Sequence, residues 1–171
     1  MKLLGAGIIF AACVLLAVRY AHYRNSLFRQ LKGLISLVEI TEGELRYSST
    51  LLWEIFDRAV PRLDPCFENW LNYLKDRLVN TDMATFAEIW ADGEAVLFAD
   101  TFLMEAYGEY VEELGGVLNY LDVTTQLSRI EYLKSKLMDE LDRLKEDNAR
   151  NIKLAYYICI LAGAFLVILL W

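Results

Sequence analysis

Few side chains in this sequence are of the types that perform chemistry. His22 is the only histidine, whereas a catalytic or metal site needs several reactive groups close together. His22 follows an apolar run, so we interpret it as a residue at a membrane interface. Gly115 and Gly116 do not form a phosphate-binding pattern, and we interpret them as a helix stop. We therefore expect no catalytic residue, no cofactor and no metal, and the chain is not predicted to be an enzyme.

Carboxylates are the more informative groups. No Lys or Arg lies between Arg77 and Arg129, and the stretch holds ten acidic residues: Asp82, Glu88, Asp92, Glu94, Asp100, Glu105, Glu109, Glu112, Glu113 and Asp122. Four of them share one face of a helix by their spacing: Glu105, Glu109, Glu112 and Glu113. This face is either a solvated surface or a docking site for a basic partner in the cytoplasm. A metal site is disfavoured because no histidine completes it.

The charges and the apolar residues are distributed unevenly. The formal net charge is −7, and every acidic residue falls between Glu39 and Asp147. This distribution argues against nucleic-acid binding, which needs clustered Lys and Arg. Residues 1–18 are apolar apart from Lys2, and residues 154–171 carry no charge. About eighteen helical residues reach roughly 27 Å, which is close to one hydrocarbon core.

Three interpretations of the N-terminal apolar run compete. It is a retained membrane anchor, a secretory signal, or the signal of an exported lipoprotein modified at Cys13, since FAAC (10–13) resembles a lipid-attachment box. No small-x-small cleavage site follows the run, and the sequence after Cys13 stays apolar. These features favour the retained anchor. The other cysteines, Cys66 and Cys159, offer no disulfide framework or metal spacing.

Basic residues next to the two apolar runs predict the orientation of the chain in the cell membrane. They lie on the inner side of both runs: Arg19, Arg24, Arg29, Lys32, Arg143, Lys145, Arg150 and Lys153. By the positive-inside rule, the middle of the chain is cytoplasmic. We therefore predict a transmembrane helix with a basic flank over residues 1–24, a cytoplasmic helical domain over 25–150 and a second transmembrane helix over 151–171.

Small residues recur along the predicted spans. Ala155, Cys159 and Gly163 are four residues apart, and Gly7 and Ala11 offer a matching face. Small residues at this spacing let membrane helices approach closely. The spans are thus expected to pack together or against a partner's, although small residues are also common in such helices without that role.

The middle of the chain shows helical periodicity throughout and no convincing strand pattern. Helices are predicted over residues 26–47, 51–60, 65–79, from about 83 to 90, 100–118 and from 122 onward. Thr50 is the expected cap of the second helix, and Asp64 with Pro65 the start of the third. A helix is expected to end at ADGEA (91–95). The last helix, in contrast, should continue into the terminal span without interruption. Trp53, Trp70 and Trp90 are predicted to be core residues.

Two segments resemble a known family. ELRYSSTLLWEIF (44–56) and GGVLNYLDVTTQ (115–126) are similar to the two characteristic segments of the stage III sporulation protein AB family of endospore-forming bacteria. KLLGA near the start and GAFLVILLW at the end extend the resemblance over nearly the whole chain. Ser48, Leu51 and Asn119 depart from the pattern, where the family often has Gly, Pro and Gly. Asn tolerates left-handed backbone geometry, so the turn at Asn119 is expected to form.

The resemblance implies an all-α fold, a bundle of about six helices similar to the F-type platform protein of type II secretion systems, flanked by the two transmembrane helices. It also implies a non-enzymatic platform subunit of the engulfment-stage channel complex between mother cell and forespore, at the outer forespore membrane of the mother cell. The implied partners are a stage III sporulation protein AA-type ATPase, other channel subunits and, as a possibility, further copies of the chain. A purely structural membrane scaffold without ATPase contact is the alternative.

Overall fold

The computed structural model describes residues 2–47, 50–80, 84–120 and 122–170, without the side chains of residues 2–10, 149, 166, 167, 169 and 170. The helices in these residues are α1 (Lys2–Tyr47), α2 (Leu52–Ala59), α3 (Glu68–Asn80), α4 (Phe86–Asp100), α5 (Leu103–Leu118) and α6 (Val123–Leu170). Two short 3₁₀ turns, Val60–Arg62 and Pro65–Phe67, lie between α2 and α3. No strand occurs within the described ranges, so the predicted all-α fold with six helices is confirmed.

The chain forms two compact units. Unit 1 consists of Met1–Phe28 together with Asp142–Trp171, and unit 2 consists of Arg29–Leu141. The first and last helices each contribute to both units. The uninterrupted course predicted for the last helix is confirmed by α6. Within the residues that the structure describes, no helix is both long enough and apolar enough to cross a membrane.

Unit 2 is built around aromatic side chains. Trp70 and Trp90 are buried, and their ring centroids are 5.2 Å apart in an edge-to-face arrangement. Phe67 lies 6.3 Å from Trp70, and Phe56 lies 6.4 Å from Trp90. Such rings bury the largest apolar areas and prefer tilted contacts. The prediction that tryptophans form the core is confirmed for Trp70 and Trp90, whereas Trp53 is half-buried.

The predicted break at residues 91–95 is wrong. The helix α4 continues through this segment from Phe86 to Asp100. Gly93 is buried inside it, and a Cβ at Gly93 would lie 2.8 Å from Leu74 and 3.2 Å from the Trp70 indole nitrogen. The glycine therefore allows close packing between α4 and α3 and does not end the helix.

The interpretation of Gly115 and Gly116 as a helix stop is also wrong, since both lie inside α5. A Cβ at Gly115 would lie 2.3 Å from the Trp90 ring, whereas nothing lies within 4 Å of one at Gly116. The Trp90 Nε1 donates a hydrogen bond of 3.1 Å to the carbonyl of Val111, which precedes Gly115 by one helical turn. The absence of a side chain at Gly115 therefore leaves the space on α5 in which the Trp90 indole of α4 packs.

The corner between α1 and α2 is organised by Glu44. Its carboxylate accepts hydrogen bonds from the hydroxyl of Thr50 at 3.1 Å and from the guanidinium of Arg58 at 2.8 Å. Thr50 was predicted to cap α2, but Leu51 is the N-cap residue and no side chain caps it. The predicted cap at Thr50 is therefore wrong, because Glu44 binds its hydroxyl instead.

The corner between α5 and α6 is organised by Gln126 and Asp122. The buried Gln126 amide donates to the carbonyls of Leu118 at 3.0 Å and Tyr120 at 2.6 Å. The Asp122 carboxylate accepts from the backbone N–H of Thr125 at 2.8 Å, as an N-cap does. Asn119 has φ −77° and ψ −9°, so the expected left-handed geometry is not used there.

Polar side chains also organise the remaining corners of unit 2. Asp64 accepts from the backbone N–H of Cys66 at 3.2 Å and Pro65 takes the first position of the 3₁₀ turn Pro65–Phe67. The predicted cap at Asp64 is therefore confirmed, whereas α3 itself begins later, at Glu68. Thr85 and Glu88 form a reciprocal capping box at the start of α4. The buried Gln30 of α1 accepts from the backbone N–H of Phe102 at 2.9 Å. The Thr85–Glu88 box and the Gln30–Phe102 bond fix the chain at the two ends of α4.

Buried side chains in unit 1 become small with distance from unit 2 along the sequence. Leu27 and Leu144 are buried, and further along the two helices the buried residues among those described are Ala17, Ala21 and Gly163. Large apolar side chains, such as Leu15 and Leu161 at 68% and 70% exposure, point outward. The two helices are bridged by Asn148 of α6, which accepts from Arg24 Nε at 3.2 Å and donates to Asn25 at 3.2 Å.

Candidate docking surface

The four predicted docking residues, hereafter the acidic face, lie on α5. The opposite side of this helix is buried through Tyr107, Val111 and Leu114, among others. Glu105, Glu109 and Glu112 are exposed, whereas Glu113 is half-buried at the edge of the buried side. The structure thus brings three of the four carboxylates to one exposed helix surface.

Glu113 is the member that is not available as a free charge. Its carboxylate lies 2.7 Å from Nζ of Lys136 on α6. The same Nζ lies 5.2 Å and 5.4 Å from the ring centroids of Tyr110 and Tyr132, within the range of a cation–π contact. The pKa of Lys136 is raised, chiefly because Glu113 accepts its hydrogen bond. A basic partner would have to compete with Lys136 for this carboxylate.

The acidic surface extends from α5 onto α4 through Glu94. Burial, followed by the negative charge of Glu112, raises the pKa of the half-buried Glu94 carboxyl. The ionised form of Glu94 is therefore disfavoured, and a cation placed near Glu94 and Glu112 would stabilise it through its opposite charge. This electrostatic environment favours a positively charged partner.

The pKa of the neighbouring Tyr110 is raised by burial and then by the charge of Glu140. Glu113 and Glu109 raise it further, whereas Lys136 lowers it. The carboxylates of α5 and α6 therefore act on one region of unit 2, and Lys136 neutralises only part of their charge.

A second ionic cluster joins α1 to α6 within unit 2 and has a different character. Glu42 pairs with Lys134 and Arg46, and Arg46 also pairs with Glu131. The Glu42 side chain is only 13% exposed, and its hydrogen bond with Lys134 is the main cause of its lowered pKa. Because the charges in this cluster are compensated, we assign it to stability and not to docking.

Side chains of the types that bind metal ions do not cluster in the described residues. No group of three or more His, Cys, Asp and Glu side chains is placed there to hold a metal ion. The cysteines Cys13, Cys66 and Cys159 are free and half-buried. Burial, with a smaller contribution from Asp64, raises the pKa of the Cys66 thiol to about 12, so this thiol is a poor nucleophile at neutral pH.

The small residues predicted to pack in the spans fall into unit 1 with different surroundings. Gly163 is buried, Ala155 and Cys159 are half-buried, and Ala11 is exposed. Gly7 lies in α1, but its surroundings are outside the described residues. Their role in packing between membrane helices stays a prediction.

Three residues that matter for these surfaces were not predicted from the sequence. Lys136 modifies the acidic face from α6, and no local pattern in α5 points to it. Glu94 was among the ten acidic residues of the stretch without Lys or Arg, but its place beside the acidic face was not predicted. Ala17 and Ala21 are buried in unit 1. Their spacing of four residues is the small-residue pattern that singled out Ala155 and Cys159, so it was available in the sequence.

The two segments that carry the family resemblance build corners of the fold. Glu44 and Thr50 belong to the first segment and bond to each other. Gly115, Asp122 and Gln126 belong to the second, where they admit Trp90, cap α6 and bind the end of α5. Both segments therefore have structural roles.

Comparison with known proteins agrees with this resemblance. The family model described as Stage III sporulation protein AB matches residues 2–171. No curated protein and no solved structure matches the chain. Because the family model covers the whole length from residue 2 onward, the chain belongs to the stage III sporulation protein AB family and has a role in sporulation.

Proposed function

We propose that this protein is a non-enzymatic platform subunit of the channel complex between mother cell and forespore, which couples a cytoplasmic ATPase to the membrane assembly. The observation that carries the proposal is the exposed row of Glu105, Glu109 and Glu112 on α5, next to Glu94 of α4, whose pKa is raised by burial and by the charge of Glu112. Such a surface attracts a basic partner over several ångströms and favours correct docking. A stage III sporulation protein AA-type ATPase is the partner that we propose.

Unit 1 is proposed to be the membrane anchor, with a transmembrane helix at each end of the chain. The sequence supports this assignment, because residues 3–18 and 154–171 contain no charged residue. Within unit 1, large apolar side chains are exposed, including Leu15, Leu16, Leu161 and Phe165. Exposed apolar surface of this extent favours contact with lipid or with other membrane helices.

Unit 2 is proposed to lie in the cytoplasm of the mother cell, at the outer forespore membrane. Support for this orientation comes from the basic residues that flank the apolar runs on the side of the middle of the chain. A cytoplasmic location gives the acidic face access to an ATPase.

The docking proposal is tested by reversing the three exposed charges in one variant, Glu105→Lys, Glu109→Lys and Glu112→Lys. We expect the full chain, purified in detergent, to lose co-purification with the ATPase while keeping its helicity and melting temperature. Glu113 is left intact because its pair with Lys136 contributes to the contact between α5 and α6.

A matched control reverses three other exposed carboxylates of unit 2: Glu39, Glu68 and Asp76. The control changes the net charge by the same amount, so a general electrostatic effect would weaken both variants equally. Loss of binding in the α5 variant alone supports docking at the acidic face. Unchanged binding in the α5 variant would reject it.

The alternative is a structural scaffold without ATPase contact, in which unit 1 recruits other membrane subunits. It is favoured by the large apolar side chains that unit 1 exposes, such as Leu15 and Leu161. Of the predicted packing face of Ala155, Cys159 and Gly163, the last residue is already buried within the chain. A chain that never binds the ATPase but still assembles with channel subunits would support this function instead.

A further inference from the structure

An arginine of unit 1 is oriented by neutral groups. Arg24 is half-buried, and its Nε donates to the side-chain oxygen of Asn148 at 3.2 Å. Asn148 in turn donates to the side-chain oxygen of Asn25 at 3.2 Å. An amide fixes the guanidinium without cancelling its charge, so its terminal nitrogens remain available to an anion.

The Arg24–Asn148 contact shows which residues of α1 and α6 lie at the same height along unit 1. This unit holds α1 only up to Phe28 and α6 only from Asp142, so the residues before Arg24 lie alongside those after Asn148. Arg19 precedes Arg24 by five residues, and Lys153 follows Asn148 by five. At about 1.5 Å per residue, both lie about 7.5 Å from the Arg24 contact, and therefore at the same level.

Arg19 and Lys153 have the same surroundings as well as the same level. Both side chains are exposed, and neither forms an ion pair with any part of the chain that the structure describes. On both helices, the uncharged run begins with the next residue in the direction away from Arg24. Two unpaired cations thus mark one plane, with uncharged side chains on one side of it.

Exposed tyrosines lie close to this plane. Tyr20 is 39% exposed and follows Arg19, and Tyr157 is 65% exposed and lies four residues, or about 6 Å, beyond Lys153. Tyrosine is enriched at the level of lipid headgroups because its ring is apolar and its hydroxyl is polar. This is a second observation that points to a lipid–water boundary at this level.

We propose that Arg19, Lys153 and the amide-held Arg24 each bind a phosphate group of anionic phospholipids near this level of unit 1. The inference rests on the membrane anchor proposed above and adds the chemistry of the lipid. The charge distribution supports it. Unit 1 contains seven basic and three acidic residues, a net charge of +4, whereas unit 2 contains ten basic and 21 acidic residues, a net charge of −11. An anionic leaflet therefore attracts unit 1 and repels unit 2.

The test compares lipid retention by the full chain and by the double variant Arg19→Gln with Lys153→Gln. Both are reconstituted into nanodiscs of phosphatidylcholine and phosphatidylglycerol in equal amounts, and native mass spectrometry counts each lipid retained after release into detergent. A cation at an anionic surface contributes roughly fivefold in affinity, so we expect the double variant to lose about 30-fold in its preference for phosphatidylglycerol. The control, Lys32→Gln with Arg62→Gln, removes two exposed cations from unit 2 and should keep the preference.

An unchanged preference in the double variant, or no preference in the unaltered chain, would overturn the inference. Flotation with pure phosphatidylcholine vesicles after an alkaline wash measures membrane insertion without anionic lipid. It therefore distinguishes a chain that lacks lipid preference from a chain that is not anchored in the membrane. A chain that floats but shows no lipid preference refutes only the headgroup site. A chain that does not float refutes the proposed anchor and the site with it.

Discussion

The two units of this protein are stabilised by different kinds of contact and carry opposite charge. Unit 2 buries large rings, with Trp70 and Trp90 in contact at 5.2 Å, and exposes a row of carboxylates. Unit 1 buries Leu27 and Leu144 next to unit 2 in the sequence and small residues such as Ala17 and Gly163 beyond them, and it exposes large apolar side chains and cations. A single pair of long helices can thus suit two environments, because side-chain size and charge change along each helix.

The largest effect is expected from a change in the core of unit 2. Gly115→Ala places a Cβ 2.3 Å from the Trp90 ring, so the indole or the helix must shift. Overpacking of this kind costs about 1–3 kcal/mol and occasionally more. Thermal unfolding of the full chain in detergent, followed by circular dichroism, should show a markedly lower melting temperature.

Gly116→Ala is the matched control, since this neighbouring residue of α5 is exposed and a Cβ there meets nothing within 4 Å. Replacing glycine by alanine inside a helix should raise stability by about 0.5–1 kcal/mol. Equal effects of the two substitutions would show that Gly115 does not admit Trp90.

Gly163→Leu should disturb helix packing in unit 1 without affecting unit 2. Cys13 precedes Arg24 by eleven residues and Cys159 follows Asn148 by eleven, so the two thiols lie at one level of unit 1. A short bifunctional maleimide should link them in the unaltered chain and fail in the variant, because the added side chain separates closely packed helices. ATPase binding and the melting of unit 2 should not change.

Ala162→Leu enlarges an exposed neighbour on α6 and should leave the cross-link intact. If Gly163→Leu also cross-links fully, close packing at Gly163 is not what holds unit 1 together.

Lys136→Gln should slightly lower the stability of the fold but tighten the binding of the ATPase. It removes a partly exposed ion pair with Glu113, which costs less than about 1 kcal/mol. It also frees a carboxylate of the acidic face, so ATPase binding should become tighter, as measured by titration of the purified proteins. Lys75→Gln, which breaks the pair with Asp57 on α2, is the control, and equal tightening in both variants would contradict a specific role of the acidic face.

The smallest effect is expected from Glu94→Gln, and it depends on pH. The folded state raises the pKa of this carboxyl above 4.5, so the folded protein binds the proton more strongly than the unfolded chain does. The ionised carboxyl therefore destabilises the fold above its raised pKa, and this cost disappears below pH about 4.5. At neutral pH the variant should have a higher melting temperature than the unaltered chain, and near pH 4 the two should melt at the same temperature. A higher melting temperature of the variant that persists at low pH would show that the ionised carboxyl is not the cause.

Much of this architecture was predictable because helical periodicity and capping residues are local. The uninterrupted α6 and the cap at Asp64 followed from the sequence in this way. Gly93 and Gly115 were misinterpreted because a glycine that ends a helix and one that admits a ring differ only in what packs against them. Lys136 was missed for a similar reason, since it reaches Glu113 from 23 residues away.

Acidic unit 2 is proposed to lie in the cytoplasm, and cysteine labelling in protoplasts tests this location. Cys66 is unsuitable because its pKa is raised to about 12, so the reporter is Ser135→Cys, at an exposed position of α6 in unit 2. Protoplasts are treated with a membrane-impermeant maleimide before and after lysis, with the unaltered chain as the background. We predict labelling of the variant only after lysis; labelling in intact protoplasts would place unit 2 outside the cell and contradict the account.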